Sequence, residues 1–163
     1  MLGISRGSKS FIGPVTIIYI NSYVDILPVL NKIHNPGPYY PNIHDIRKWS
    51  AILNELIFDS VVPKFYDINI KHFPNQMAAC VPCVKTKDPT KRVCKLEINP
   101  EFSDFKSFII ILCHELVHAW EWQTYGKCTH GKTFFQWKER LKTHGIPLQE
   151  KYHKKMLDIP TIN

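Results

Sequence analysis

The stretch Phe108-Ile109-Ile110-Ile111-Leu112-Cys113-His114-Glu115-Leu116-Val117-His118-Ala119-Trp120 decides how this chain is read. It sets the pattern HExxH inside a run that is apolar almost throughout. Residues four apart share one face of a helix, so the imidazoles of His114 and His118 can bind one metal ion together. Glu115, one residue round, can reach a water on that ion without ligating it, which is where a general base is needed. The apolar run predicts a helix buried on most sides, a rigid support for such a site. Its expected start is Ser103 or Asp104, after Pro100, and its expected stop is Gly126. The plain alternative is a core helix carrying two histidines and a carboxylate by accident. A buried set of that kind is costly without a partner, and a cation supplies one.

A zinc ion bound by HExxH needs a third protein ligand and an open fourth position. Downstream candidates are Glu121, His130, Glu139 and His144. A continuation xxGxxH would mark a metzincin, but Glu121 and Thr124 stand at those two places and exclude it. Glu121 lies on roughly the face of His118 and suits an acceptor for an imidazole N–H. Glu139 has the separation a gluzincin-type site could use. His130 is favoured, because it follows the helix end by a short loop and Gly131 then allows a sharp turn into a new helix.

His114-Glu115-x-x-His118, eleven residues, then His130-Gly131-x-x-Phe134 resembles the SprT-like (Spartan-type) zinc metalloprotease domain. Ile52-Leu53-Asn54-Glu55-x-Ile57-Phe58, Val62-Pro63 and Asp67-Ile68-x-Ile70 are similar to its opening helix and first strand. Ala78-Ala79-Cys80 and Cys94-x-Leu96-x-Ile98-Asn99 are similar to the two strands before its active-site helix. WLM-type sequences, with a downstream histidine followed by an aromatic, match less well. The resemblance covers roughly residues 44 to 150. It implies an α+β, zincin-like fold with a small sheet of three to four strands packed on the HExxH helix and flanking helices. It also implies Zn²⁺ held by His114, His118 and His130, with Glu115 as catalytic base. In such a fold the strand before the active-site helix offers its edge to an extended peptide. Spartan-type relatives act on proteins bound or crosslinked to DNA.

Three segments are expected: an N-terminal extension over 1–43, the SprT-like domain over 44–150, and a basic tail over 151–163. The extension holds a strand-like stretch at 15–20, an apolar helical stretch at 23–33, and the turn-rich Asn35-Pro36-Gly37-Pro38-Tyr39-Tyr40-Pro41. Residues 44–60 fit an amphipathic helix with Ile46, Trp49, Leu53 and Ile57 on one stripe. Strands are predicted near 66–72, 77–84 and 93–99, with Lys85 to Arg92 as a loop. A last helix is expected over 131–143, with Phe134, Trp137 and Leu141 facing inward and Gly145 closing it.

With 163 residues the chain suffices for one domain with its own core. No apolar run approaches the ~20 residues of a membrane span. Val15 to Ile20 reads as a strand, not a secretion signal, since it follows Gly13-Pro14 and lacks a small-residue cleavage site. The 5 cysteines are an odd number, which with no signal sequence points to a reducing cytoplasm, a host's cytoplasm if the chain is of phage origin. Cys80-x-x-Cys83 with Cys94 invites a structural zinc site, but the second close pair is missing.

The net charge is +7 and the pI about 9.2. From Lys127 to Lys155 the chain carries 8 Lys and Arg against 2 acidic residues, and Lys85, Lys87, Lys91 and Arg92 add a basic loop. Such clusters can neutralise phosphates, and Lys138, Arg140 and Lys142 are candidate contacts for DNA. Trp120, Trp122, Tyr125, Phe135, Trp137 and Tyr152 interleave with these charges and would suit stacking on bases, although core packing is the commoner use. The expected partners are a protein or peptide substrate and DNA through the basic surface, with no membrane. The expected activity is metal-assisted peptide-bond hydrolysis, with Tyr125, His144 or Tyr152 as a further oxyanion donor. The competing class is an inactive zinc-containing module that binds nucleic acid or protein. Glu115 argues against it, because a purely structural site has no use for a base beside its ligand.

Overall fold

The computed structural model describes residues 36–85 and 87–152. The segments expected at 15–20 and 23–33, and most of the basic tail, lie outside them. Helix α1 spans Ile43–Ile57. Asn42 caps it by accepting from the Asp45 N–H at 2.9 Å, while the Asp45 carboxylate accepts from the Asn42 N–H at 3.4 Å. Ile46, Trp49, Leu53 and Ile57 are its buried residues, the stripe that the sequence periodicity predicts. At full burial each stabilises the fold by ~1.5–3 kcal/mol.

Three strands follow: β1 (Asp67–Ile70), β2 (Ala78–Lys85) and β3 (Asp88–Ile98). They form a mixed sheet in the order β1-β3-β2, β1 parallel and β2 antiparallel to β3. Cys94, Leu96 and Ile98 alternate along β3 and are all buried in the core. Two expectations need correction here. Residues 88–92 are not loop: Arg92 pairs with Val84 and Asp88 with Lys85, past a register shift. Their charge resembles a loop, yet strand pairing satisfies backbone groups whatever the side chains, and this hairpin end is exposed. The strand just before the long helix is β3, in the middle of the sheet, so the edges on offer belong to β1 and β2.

Helix α2 spans Phe105–Tyr125, and 15 of its residues are buried. It starts at Asp104, whose carboxylate accepts from the Ser107 N–H at 2.6 Å. It stops at Gly126, with φ 68°. The left-handed φ favours glycine there, and a Cβ would in addition displace the end of the Arg92 side chain, whose guanidinium carbon lies 2.7 Å from its place. Phe105 packs on Trp49 and Tyr39 at 5.0 Å, and Phe102 on Phe108 at 5.5 Å.

The helix expected over 131–143 is broken into α3 (Lys132–Phe135) and α4 (Lys138–Thr143). Phe134 packs on the rings of His114, His118 and His130, while Trp137 packs on Phe58 at 4.7 Å and Trp120 at 5.3 Å. The break falls between these two anchors. Gly145, with φ 69°, follows α4. The architecture is α+β, a small mixed sheet with the buried α2 packed on it.

Candidate metal centre

His114 and His118 lie one turn apart on α2, so their rings project from the same face. His130 comes from the loop before α3. The three Nε2 atoms form a triangle with sides of 3.1, 3.1 and 3.2 Å. Tetrahedral zinc with bonds of ~2.0–2.1 Å would hold its nitrogens about 3.3 Å apart. Hydrogen bonding explains the triangle poorly, because an imidazole nitrogen offers one proton or one lone pair in one direction and cannot serve two partners at once. Burial, with the other histidines adding to it, lowers His114 to about 3, and burial with His130 lowers His118 to about 4. Both rings are therefore neutral at ordinary pH, as metal ligands must be. The residues fit a tetrahedral cation.

Glu115 lies beside this cluster and is buried. Its Oε2 accepts from the backbone N–H of Cys80 on β2 at 2.6 Å. Burial pushes its carboxyl up to about 8, and the Cys80 N–H opposes that rise by favouring the charged form. A cation held by the histidines would act in the same direction as the N–H. Glu115, His114, His118 and His130 line a cleft of about 540 Å³, with Met77 to Cys80 forming the β2 wall and Tyr152 a further side.

The other candidates for the third ligand position are elsewhere. Glu139 is exposed on α4, with Lys142 Nζ at 4.0 Å. His144 is buried away from the cleft, and Glu121 is fully buried with Oε2 at 3.9 Å from His118 Nδ1, too far for the expected hydrogen bond. Of the proposed oxyanion donors, only Tyr152 lines the cleft, with its ring 5.4 Å from His114. Its hydroxyl already donates to the Pro147 carbonyl and accepts from the Gln149 N–H at 3.0 Å. Asn75 to Met77 of that wall carry no motif and could not be singled out from sequence, whereas Ala78 and Ala79 belong to a strand that the family resemblance marks.

Of the candidate DNA contacts, Lys138 and Lys142 are exposed on α4, whereas Arg140 is engaged elsewhere. Arg140 makes a forked pair with Asp59, at 2.5 and 2.6 Å, while Lys138 lies over the Phe135 ring at 5.9 Å. Trp120, Trp122, Phe135, Trp137 and Tyr152 pack against the core, which leaves Tyr125 as the well-exposed member of that aromatic set. The thiols of Cys80, Cys94 and Cys128 are near enough to perturb one another's ionisation, Cys128 donates to the His118 carbonyl at 3.7 Å and Cys83 to the Val81 carbonyl at 3.5 Å, and all five cysteines are free. Among the described residues, only the histidines form a group of three or more ligating side chains close enough to share an ion.

An α+β domain that gathers three histidines beside a buried glutamate is a metallopeptidase-like domain. The SprT-like family model matches residues 46–154, most of the chain, and the protein belongs to that family. No curated protein and no solved structure matches it. Among the described residues no helix is long and apolar enough to cross a membrane.

Proposed function

We propose that this protein is a zinc-dependent metallopeptidase of zincin-like fold that hydrolyses peptide bonds in protein substrates. The observation that carries the reading is the 3.1–3.2 Å triangle of imidazole nitrogens beside a buried glutamate in an open cleft. His114, His118 and His130 would hold the ion. When bound, zinc polarises a water and the scissile carbonyl and makes the water acidic enough to lose a proton near neutral pH. Glu115 accepts that proton and returns it to the leaving amine. The Cys80 N–H holds the Glu115 carboxylate in place for both transfers.

An extended peptide suits this cleft. β2 pairs with β3 on one side only, and Met77, Ala78, Ala79 and Cys80 line the cleft wall. Main-chain pairing along an edge strand demands little side-chain specificity. The Cys80 N–H, already given to Glu115, and Pro82, which has no N–H, reduce the donors a peptide can use there.

We also propose that the substrates are proteins associated with or crosslinked to DNA. Lys64, Lys85, Lys91 and Arg92 line a groove of about 460 Å³ that has no carboxylate in its wall among the described residues. Tyr66, 60 % exposed, lies in it with Lys85 Nζ 5.7 Å above the ring. Cations around an exposed aromatic suit a nucleic-acid strand.

The test is proteolysis of unfolded and DNA-bound proteins by the wild type and by Glu115→Gln, with zinc content measured on both. The wild type should carry about one zinc and cut. Glu115→Gln should keep the zinc and not cut. Zinc without cleavage in the wild type would favour an inactive binding module instead.

A further inference from the structure

Glu121 lies three residues past His118 and is fully buried, at 0 % exposure. A carboxylate in that position is unfavourable unless its oxygens find donors. They find three, all from one short stretch of chain. Oε2 accepts from the Thr129 backbone N–H at 2.7 Å. Oε1 accepts from the Thr129 hydroxyl at 3.1 Å and from the Thr133 hydroxyl. The Thr129 hydroxyl also accepts from the Gly131 N–H at 3.3 Å. The anchored residues bracket His130. That histidine is itself exposed, on a loop outside any helix or strand.

We propose that Glu121 is the positioning residue for the third metal ligand. It does not touch the ion. Its carboxylate fixes 129–133 against α2, so that His130 Nε2 arrives 3.1 Å from His118 and 3.2 Å from His114. His114 and His118 need no such help, because one buried helix carries both. The inference rests on the metal reading of the histidine cluster. It gives the buried carboxylate a role different from the imidazole acceptor expected from its spacing. Without Glu121 the loop would have to be ordered by the ion itself, and affinity would fall by that cost. Partners that orient a ligand typically contribute ~10–100-fold to metal affinity.

The test measures the zinc dissociation constant by competition with a chromophoric chelator at fixed pH. The full chain is compared with His130→Ala, Glu121→Gln, Thr133→Val and the pair His130→Ala/Glu121→Gln. Thr133→Val removes one anchor almost isosterically, so it speaks even if Glu121→Gln folds poorly. Expected is a loss of ~10–100-fold for Glu121→Gln and a smaller loss for Thr133→Val. In the His130→Ala background Glu121→Gln should add nothing, since the ligand it positions is gone. Wild-type affinity in both single variants would overturn the proposal. An equal further loss in the His130→Ala background would also overturn it, because Glu121 would then act through His118 or the fold. A wild type that binds no zinc, or a His130→Ala variant that binds it as well as the wild type, would instead remove the metal reading beneath the proposal, and the proposal with it.

Discussion

The backbone N–H of Cys80 donates to Glu115 Oε2 across 2.6 Å, tying strand β2 to the carboxylate on α2 that lines the histidine cleft. The bond links two roles. The strand that walls the cleft also orients the candidate base, and this donor opposes the burial that raises the Glu115 carboxyl to about 8.

Glu115→Asp tests that link. The side chain shortened by one methylene cannot reach both the Cys80 N–H and the cleft. Cleavage should fall by ~10²–10⁴-fold, the usual contribution of a positioned acid–base group, while zinc content stays at wild type. Near-normal turnover in a peptide cleavage assay would show that Glu115 is not the base.

His130→Ala should cost far more zinc affinity than Glu139→Ala. The former removes one corner of the nitrogen triangle, whereas Glu139 sits exposed on α4 beside Lys142. The reverse order in a zinc titration would assign the third ligand to Glu139 and make the site gluzincin-like.

The metal-free protein should lose stability in mild acid. Folded His114 titrates at about 3 and His118 at about 4, both below the ordinary 6.5. As pH falls below 6.5 the unfolded chain takes up these protons first. The stability is therefore present above 6.5 and lost on the way down toward 4 and 3, at ~1.4 kcal/mol per pH unit for each histidine. Glu115, raised to about 8, opposes this with one proton, and two histidines against one glutamate still leave a net loss. Thermal melts of chelator-treated protein from pH 6.5 to pH 4.5 should show a falling midpoint. A flat midpoint would mean that the histidines are not buried as a neutral cluster.

Charge reversal at Lys64 and Lys91 should weaken single-stranded DNA binding and flatten its salt dependence, by about one unit of slope per lost phosphate contact. Reversal at Arg140 should do less, because its guanidinium is engaged with Asp59. Fluorescence anisotropy across a salt series reads both, and equal effects would return the interface to α4.

Leu53→Ala should destabilise the fold by ~2–5 kcal/mol in chemical denaturation, since Leu53 is fully buried at the centre of the α1 stripe. A loss under 1 kcal/mol would mean that α1 is not integral to the core.

Much of the molecule is legible in its sequence through local rules. Asp104 and Gly126 bound α2 as their cap chemistry predicts, and the period of Ile46, Trp49, Leu53 and Ile57 marks the buried face of α1. HExxH places His114, Glu115 and His118 on one helix because the turn of a helix is a local property. His130 is distinguishable from Glu139 only by the loop and glycine around it.

Tertiary structure alone decided what depends on segments meeting from afar. The strand order put β2 at the edge and β3 in the centre, and the ladder recruited Asp88 to Arg92 into a strand despite their charge. The fold consumed Arg140 on Asp59, 81 positions away, and turned most of the interleaved aromatics toward the core. It gave Glu121 to the loop of His130 instead of to His118. Periodicity and capping are local energies, written in neighbouring residues. Which donor reaches a buried carboxylate is settled by packing, where every polar group must find a partner among whatever segments the fold brings beside it.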